Sequence, residues 1–330
     1  MNAKLSVIVP VYNSVDTIVR CAASLVNQTM ENIEVIFVDD CSTDESLDLL
    51  HQIRQQFPEK VRLLQTKRNS GPGGARNIGL DAATGDYVGF VDSDDFVDGT
   101  MYEKLYKAAV EAQADVVDCG FADESLGSYI FSVNPECAGD LDDEKRCRLI
   151  SKEGYIWCKI FRRDLIEKNK LRFRESALME DTDFIMCVWA LASKVAVVPE
   201  VLYQHTDNQV SVTHVADNYK NYMQSLSAME AVHHRLSELP QYHAIEEGVK
   251  AMLTGLYLGA IVNIATSQEK ELTNSKKVEC LTNLREVRRK VMDSDYENAY
   301  QIEGMNDQCI MIMQLNDRNP KAVVQLLASA

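Results

Sequence analysis

Along the first 120 residues, apolar positions follow two alternating patterns. Leu5 to Val9, Glu34 to Val38, Val61 to Gln65, Asp86 to Val91 and Asp115 to Phe121 are short runs, mostly apolar and rich in β-branched residues, the pattern of buried strands. Between them, apolar residues recur at helical spacing. These are Val15, Ile18, Val19, Ala22 and Val26; then Leu47, Leu50, Ile53 and Phe57; then a short helix from Ala75 to Ala83; then Tyr102, Leu105, Tyr106 and Ala109. Ser14 is placed to cap the first helix, Ser42 and Glu45 to form a capping box before the second, and Gly85 to stop the third. Strands alternating with helices predict βαβ units and a mainly parallel sheet with right-handed crossovers. Ligands of such sheets bind at the carboxyl ends of the strands. That rule selects Pro10 to Asn13, Asp39-Asp40, Asn69 to Arg76 and Asp92 to Asp95.

The pattern then changes. Residues 123–147 are acidic and irregular, with a short helix expected near Asp142, and 155–173 are aromatic and basic. Val195 to Val198 reads as a late strand. From about Asp217 the period is helical, with Tyr222, Met223, Leu226, Met229 and Leu236 on one face. Further faces are Val249, Met252, Leu253, Leu256, Tyr257 and Ile261, and Leu281, Leu284, Val287 and Val291. The boundary between an α/β domain, 1–215, and a helical region, 216–330, is this shift of period. Ala251 to Thr266, the longest apolar stretch, is interrupted by Thr254 and Asn263 and reads as a buried helix.

Composition narrows the field. The 330 residues are 46% hydrophobic and 25% charged, enough to bury a large core without staples. Thirty-four Lys and Arg against fifty Asp and Glu give a net charge of −16, which disfavours nucleic acid as a partner. Nine scattered cysteines with no C-x-x-C pair point to reduced thiols in the cytoplasm. The opening MNAKLSVIVPVYN has too short an apolar run for a signal peptide.

Five segments carry candidate chemistry. Asp92-Ser93-Asp94-Asp95 gathers carboxylates after a strand, suiting either a divalent cation that holds a diphosphate or a solvated helix-capping turn. Asn69-Ser70-Gly71-Pro72-Gly73-Gly74-Ala75-Arg76-Asn77 permits close backbone approach to a ligand, yet fits neither the dinucleotide nor the P-loop fingerprint. Asp39-Asp40 suits a base or ribose, or a helix cap. Glu180-Asp181-Thr182-Asp183 precedes an apolar helix and offers either a general base or dipole-stabilised acids. His205 follows Tyr203 as a lone histidine, a residue type more often packed than ligating. Lys159, Arg162 and Arg163 read as surface charge, with Trp157 and Lys159 able to line an acceptor groove.

In this order and on this scaffold, the segments resemble family-2 glycosyltransferases of the GT-A fold. The resemblance rests on SVIVPVYN at 6–13, VDDCSTDES at 38–46, RNSGPGGARNIGL at 68–80, GDYVGFVDSDD at 85–95, WCKIFRRDLI at 157–166 and EDTDF at 180–184. It covers about residues 4–215. It implies a GT-A, Rossmann-like α/β domain that moves a sugar from a UDP-sugar donor to a hydroxyl acceptor with inversion. Pro10, Val11 and Tyr12 would line the nucleoside pocket, Asp40 would bind uracil, and Asn69 and Arg76 would complete base recognition. Asp92-Ser93-Asp94 would be the D-x-D motif, with Asp94 on Mn²⁺ or Mg²⁺ and His205 a further metal ligand. Asp181 would be the catalytic base. A glycan or lipid-linked acceptor, in bacterial surface polysaccharide synthesis, follows from the same resemblance. A non-catalytic nucleotide-sugar-binding module is the alternative. The 216–330 helices would serve acceptor binding, self-association or peripheral contact with the inner face of the cell membrane. The basic residues Lys276, Lys277, Arg285, Arg288, Arg289 and Lys290 motivate the last of these.

Overall fold

Leu5–Val11 (β1) and Ile33–Asp39 (β2) are buried at all seven positions, and their continuous apolar runs place them at the middle of a sheet. The computed structural model describes residues 3–152, 154–206, 219–293, 295–296, 300 and 305–327, with backbone alone for 219–225. The remaining strands are β3 (Val61–Gln65), β4 (Tyr87–Phe90), β5 (Phe96–Val97), β6 (Val116–Asp123), β7 (Ser128–Ile130), β8 (Gly139–Asp140), β9 (Lys159–Arg162) and β10 (Lys194–His205). Helices α1 (Ile18–Val26), α2 (Ser46–Gln56), α3 (Gly71–Ala82), α4 (Met101–Ala112), α5 (Asp143–Ile150), α6 (Arg163–Lys168) and α7 (Glu180–Leu191) lie between them.

The sheet runs β3-β2-β1-β4-β9-β6-β10-β5, with β7 beside β6 and β8 beside β10. Strands β1 to β4 are parallel, as are β6 and β10. β9 is inserted antiparallel to both β4 and β6, so all six parallel-type strands point the same way and share one carboxyl edge. The sequence pattern did not reveal β9, because Lys159 and Arg162 bracket two apolar residues and read as surface. Lys159 is instead fully buried. Its ammonium lies 2.7 Å from Asp118, also fully buried, and donates to Ser132 Oγ at 2.6 Å. Burial alone would push this lysine down, and the Asp118 charge outweighs that and holds it protonated.

Two further expectations fail locally. Ser42 and Glu45 form no capping box: α2 starts at Ser46, and Ser42 Oγ accepts from Asn13 N at 3.1 Å. Ser14 does not cap α1 by its side chain, since its Oγ bonds Ser93 Oγ at 2.7 Å. Both hydroxyls tie loops together across the carboxyl edge, and that competes with capping. No two of the nine cysteines, all among the described residues, are joined by a disulfide.

The chain divides into two compact units, Met1–Leu141 with Gly154–Asp207, and Asp142–Glu153 with Asn208–Ala330. The boundary expected near 215, with Ser211 and Thr213, lies outside the described residues. α5, capped by the Asp142 side chain on Lys145 N at 2.8 Å, belongs to the helical unit and packs on Tyr242–Thr266. That unit also contains Tyr219–Ser237, Asn274–Val291, Asp307–Arg318 and Pro320–Leu327. Tyr242–Thr266 is long and apolar enough to cross a bilayer, and more than half of its most apolar stretch is buried inside the unit. Asp317 gathers Tyr257, Tyr296 and Arg288 around one carboxylate. The basic run therefore does not form one open face. Lys277 is buried and donates to Ala265 and Ser267 carbonyls, Arg288 is buried against Asp317, and Lys290 pairs with Glu230.

Candidate active site

β4 delivers Asp92, Ser93 and Asp94 to the carboxyl edge of the sheet, and Asp95 N closes the turn onto Asp92 O at 3.1 Å. The chain continues as β5, which pairs antiparallel with the end of β10. That pairing brings Tyr203 and Thr206 to the acidic turn, while the His205 ring lies against Asp123 and Trp157. Tyr203, fully buried, donates to Asp95 Oδ2 at 2.6 Å and accepts from Asp92 N at 3.3 Å. Thr206 Oγ1 donates to Asp94 O at 2.6 Å, and Arg20 to the same carbonyl at 2.8 Å. Arg20, Tyr203 and Thr206 were not singled out in the sequence as parts of this turn, because their partners lie 74 to 112 residues away.

Asp95 is almost fully buried, and burial together with the Asp92 and Asp94 charges pushes its carboxyl up to about 8. Negative charge is concentrated at this turn. Among the described residues no group of three or more His, Cys, Asp or Glu side chains is arranged around a common cation position. Magnesium-type ions are commonly held by one or two carboxylates, with substrate phosphates and water completing the shell, so this donor set fits a hard divalent ion. His205 stacks parallel to Trp157, 5.5 Å between centroids, with Nδ1 3.3 Å from Asp123 Oδ2.

The glycine-rich segment behaves differently from expectation. α3 begins at Gly71, four residues before the predicted start, so the glycines form its first turn and not a ligand-cradling loop. A methyl on Gly73 would lie 2.3 Å from Arg174 O and 2.8 Å from Glu180 Cγ. The glycine permits close approach of the protein's own 173–180 segment. Asn77 completes this contact by bonding Phe173 N and O at 2.8 and 2.9 Å.

Arg76, expected to recognise the base, is 5% exposed and committed elsewhere. It lies 2.5 Å from Glu180 and 2.7 Å from Asp92. One guanidinium thus joins the D-x-D turn to the first residue of α7, using its fork geometry on two carboxylates. Asp181 follows directly. Burial, the Glu180 charge and Asp92 raise its carboxyl and Arg76 pulls it down, and the balance lies at about 7. Arg174 fastens the approach to α7, donating to Asp183 Oδ1 at 2.7 Å and to the Leu178 and Met179 carbonyls.

On the other flank, Pro10 and Val11 are buried within β1 and Tyr12 emerges 48% exposed. Asp40 is buried at the end of β2, where it accepts from Thr66 Oγ1 at 2.7 Å and Ser70 N at 2.9 Å. It fixes the loop carrying Asn69, which is exposed. These residues border one edge of the sheet with Asp92, Ser93 and Asp94.

The family model for glycosyl transferase family 2 matches residues 6–177. The chain is 33% identical over 222 residues to the uncharacterized glycosyltransferase EpsJ of Bacillus subtilis (strain 168), covering 64% of this chain and 63% of that protein. It is 35% identical over 209 residues to a poly(ribitol-phosphate) beta-glucosyltransferase of Bacillus spizizenii, covering 61% of this chain and 32% of the relative. The chain therefore spans less than two thirds of the length of both. The crystal structure of S. aureus TarS 1-349 in complex with UDP-GlcNAc superposes with a TM-score of 0.74 at 22% identity, over 99% of this chain and 90% of that one. A GT-A α/β sheet with its acidic turn at the carboxyl edge and a sequence match over more than half its length mark this chain as a member of glycosyl transferase family 2.

Proposed function

We propose that this protein is a metal-dependent, inverting glycosyltransferase that moves a sugar from a UDP-sugar to a hydroxyl acceptor during synthesis of a surface glycopolymer at the cytoplasmic side of the membrane. The observation that carries the reading is Arg76, which binds Asp92 and Glu180 together and so sets the D-x-D turn beside the start of α7. Asp181 takes the proton from the acceptor hydroxyl as that oxygen attacks the anomeric carbon, and UDP leaves from the opposite face. Its raised carboxyl suits a base working near neutral pH. Asp94 and His205 would hold Mn²⁺ or Mg²⁺, which as a Lewis acid neutralises charge on the departing diphosphate. Pro10, Val11, Tyr12, Asp40 and Asn69 seat the uridine, and Asp92 and Ser93 border the ribose and diphosphate. Arg76 is assigned to holding the two acidic segments together, not to base recognition. UDP-GlcNAc, the molecule bound in the TarS structure, is the first donor to test.

The test is UDP release from a panel of UDP-sugars with Mn²⁺, with excess EDTA, and by Asp181→Asn. We expect release to need the cation, and the variant to lose 10²–10⁴-fold, roughly the worth of a general base, while still binding UDP. Undiminished turnover in EDTA removes the metal role from Asp94. Undiminished turnover of the variant removes Asp181 as base.

A further inference from the structure

Three of the eight large apolar side chains that stand exposed among the described residues lie within six positions of one hairpin: Leu126 at 68%, Tyr129 at 75% and Phe131 at 46%. The hairpin joins β6 to β7, with Ala122 opposite Tyr129 and Phe121 opposite Ile130. Alternation along the strands therefore puts Gly120 and Ala122 on the same face as Tyr129 and Phe131. A methyl on Gly120 would come within 2.5 Å of the Phe131 ring, so that ring lies directly over the Gly120 backbone. The result is an exposed apolar patch: two small residues on one strand, Tyr129 and Phe131 on the other.

Its position relates it to the candidate site. The patch stands at the carboxyl end of β6, the edge that also carries Asp92 to Asp95. Glu124 N, at the turn, bonds His205 O at 3.1 Å, and Asp123 is the carboxylate beside the His205 ring. Asp118 occupies the same face of β6 as Gly120 and Ala122. Its partner Lys159 has its ammonium 5.9 Å from the centre of the Trp189 ring on α7. The patch thus shares one face of the sheet with the C-terminal end of α7. The far leg of the hairpin is anchored, because Ser132 Oγ and Val133 N both donate to Asp118.

Charge selects the occupant. From Asp115 to Asp140 the chain has six acidic residues and no Lys or Arg. Of these, Asp115 and Asp140 lie at the opposite, amino end of β6 and pair with Arg162 and Lys194, and Asp118 is buried against Lys159. Asp123 and Glu124 stand at the hairpin itself, on the edge that carries Asp92 to Asp95, and this acidic edge is an unfavourable field for a polyanion. An exposed aromatic face held by anchored strands gives large, rigid, amphipathic contact area at small entropic cost. We propose that the β6–β7 hairpin is an acceptor subsite for an uncharged saccharide, with a sugar ring stacked on Tyr129 and Phe131. The proposal rests on the glycosyltransferase reading, and it assigns this chain a neutral glycan in place of a phosphodiester polymer.

Saturation-transfer NMR on the full chain tests it, with cellobiose, lactose and N,N′-diacetylchitobiose as neutral probes and oligo(ribitol phosphate) as the anionic one. We expect at least one neutral disaccharide to bind. The Tyr129→Ala, Phe131→Ala double variant should weaken that binding at least tenfold, Tyr129→Phe should retain it, and UDP affinity by calorimetry should change less than twofold in both. Neutral-probe binding unaltered in the double variant overturns the proposal. So does binding of the phosphodiester oligomer alone, absence of binding by every neutral probe, or loss of UDP affinity in the double variant. Failure of the unmodified chain to bind UDP would instead sink the transferase reading, while the saccharide measurement still decides the subsite.

Discussion

Arg76 controls Asp181 through charge, and both sides of that control are measurable. Only ionised Asp181 can accept a proton, so kcat/KM should fall on the acid side of about pH 7. Arg76→Lys supplies a point charge that cannot span Asp92 and Glu180 together. Asp181 then loses part of its stabilising partner, its pKa rises, and the acid limb of the pH–rate profile should move to higher pH. Arg76→Met should cost about 3–5 kcal/mol in urea melts, because it strands buried Glu180. The linkage sign for Asp181 is opposite to that of an ordinary ion-paired carboxylate. Its folded pKa lies above the ordinary value of 3.8, so its contribution to stability is fullest below that value and is lost as pH rises through about 7. Asp181→Asn should therefore melt higher than the parent at pH 8.5, with the advantage shrinking at pH 5. The two acidic segments that hold Asp94 and Asp181 were legible in the sequence. The task of Arg76 was not, since its partners are 16 and 104 residues away and no spacing rule links them.

α3 acts as a clamp. Its glycine-rich first turn and Asn77 hold the 173–180 segment, and through it Asp181. Gly73→Ala would drive a methyl into the Arg174 carbonyl, which is backbone and cannot swing aside. We expect about 1–3 kcal/mol of destabilisation from this overpacking, with a fall in kcat larger than any rise in the KM for donor. Thermal melts and UDP-release kinetics check both parts. β9 offers a contrasting case. Lys159→Met alone should destabilise by about 3–5 kcal/mol by stranding Asp118, whereas Lys159→Met with Asp118→Leu should recover most of the loss. Equal instability of the single and double variants would show that a stranded carboxylate is not what weakens the single one. The periodicity located β1 to β4 and α4 closely. It overlooked β9 because a buried charged pair looks, in one dimension, like two solvated residues.

Across the whole molecule, a net charge of −16 makes the acidic turn at Asp92 to Asp95 more costly, and on the proposed reading a divalent cation offsets that cost and lets the diphosphate approach. UDP and Mn²⁺ together should raise the melting temperature more than either alone, reaching about 2.7 kcal/mol of stabilisation at a hundredfold excess over Kd. An identical shift for UDP with EDTA would argue against coupling between them. Local patterning by itself determined the alternation of strands and helices, the acidic turn, the helical tail and the family, because each depends on neighbours within a few residues and on the period of side-chain burial. It could not determine that the glycines serve the protein's own backbone, that Arg76 joins two acidic motifs, that Lys159 is buried, or that α5 belongs with the tail helices. Those outcomes depend on which distant segments meet when the sheet closes around β9, and ion pairing and steric fit are settled only by that closure.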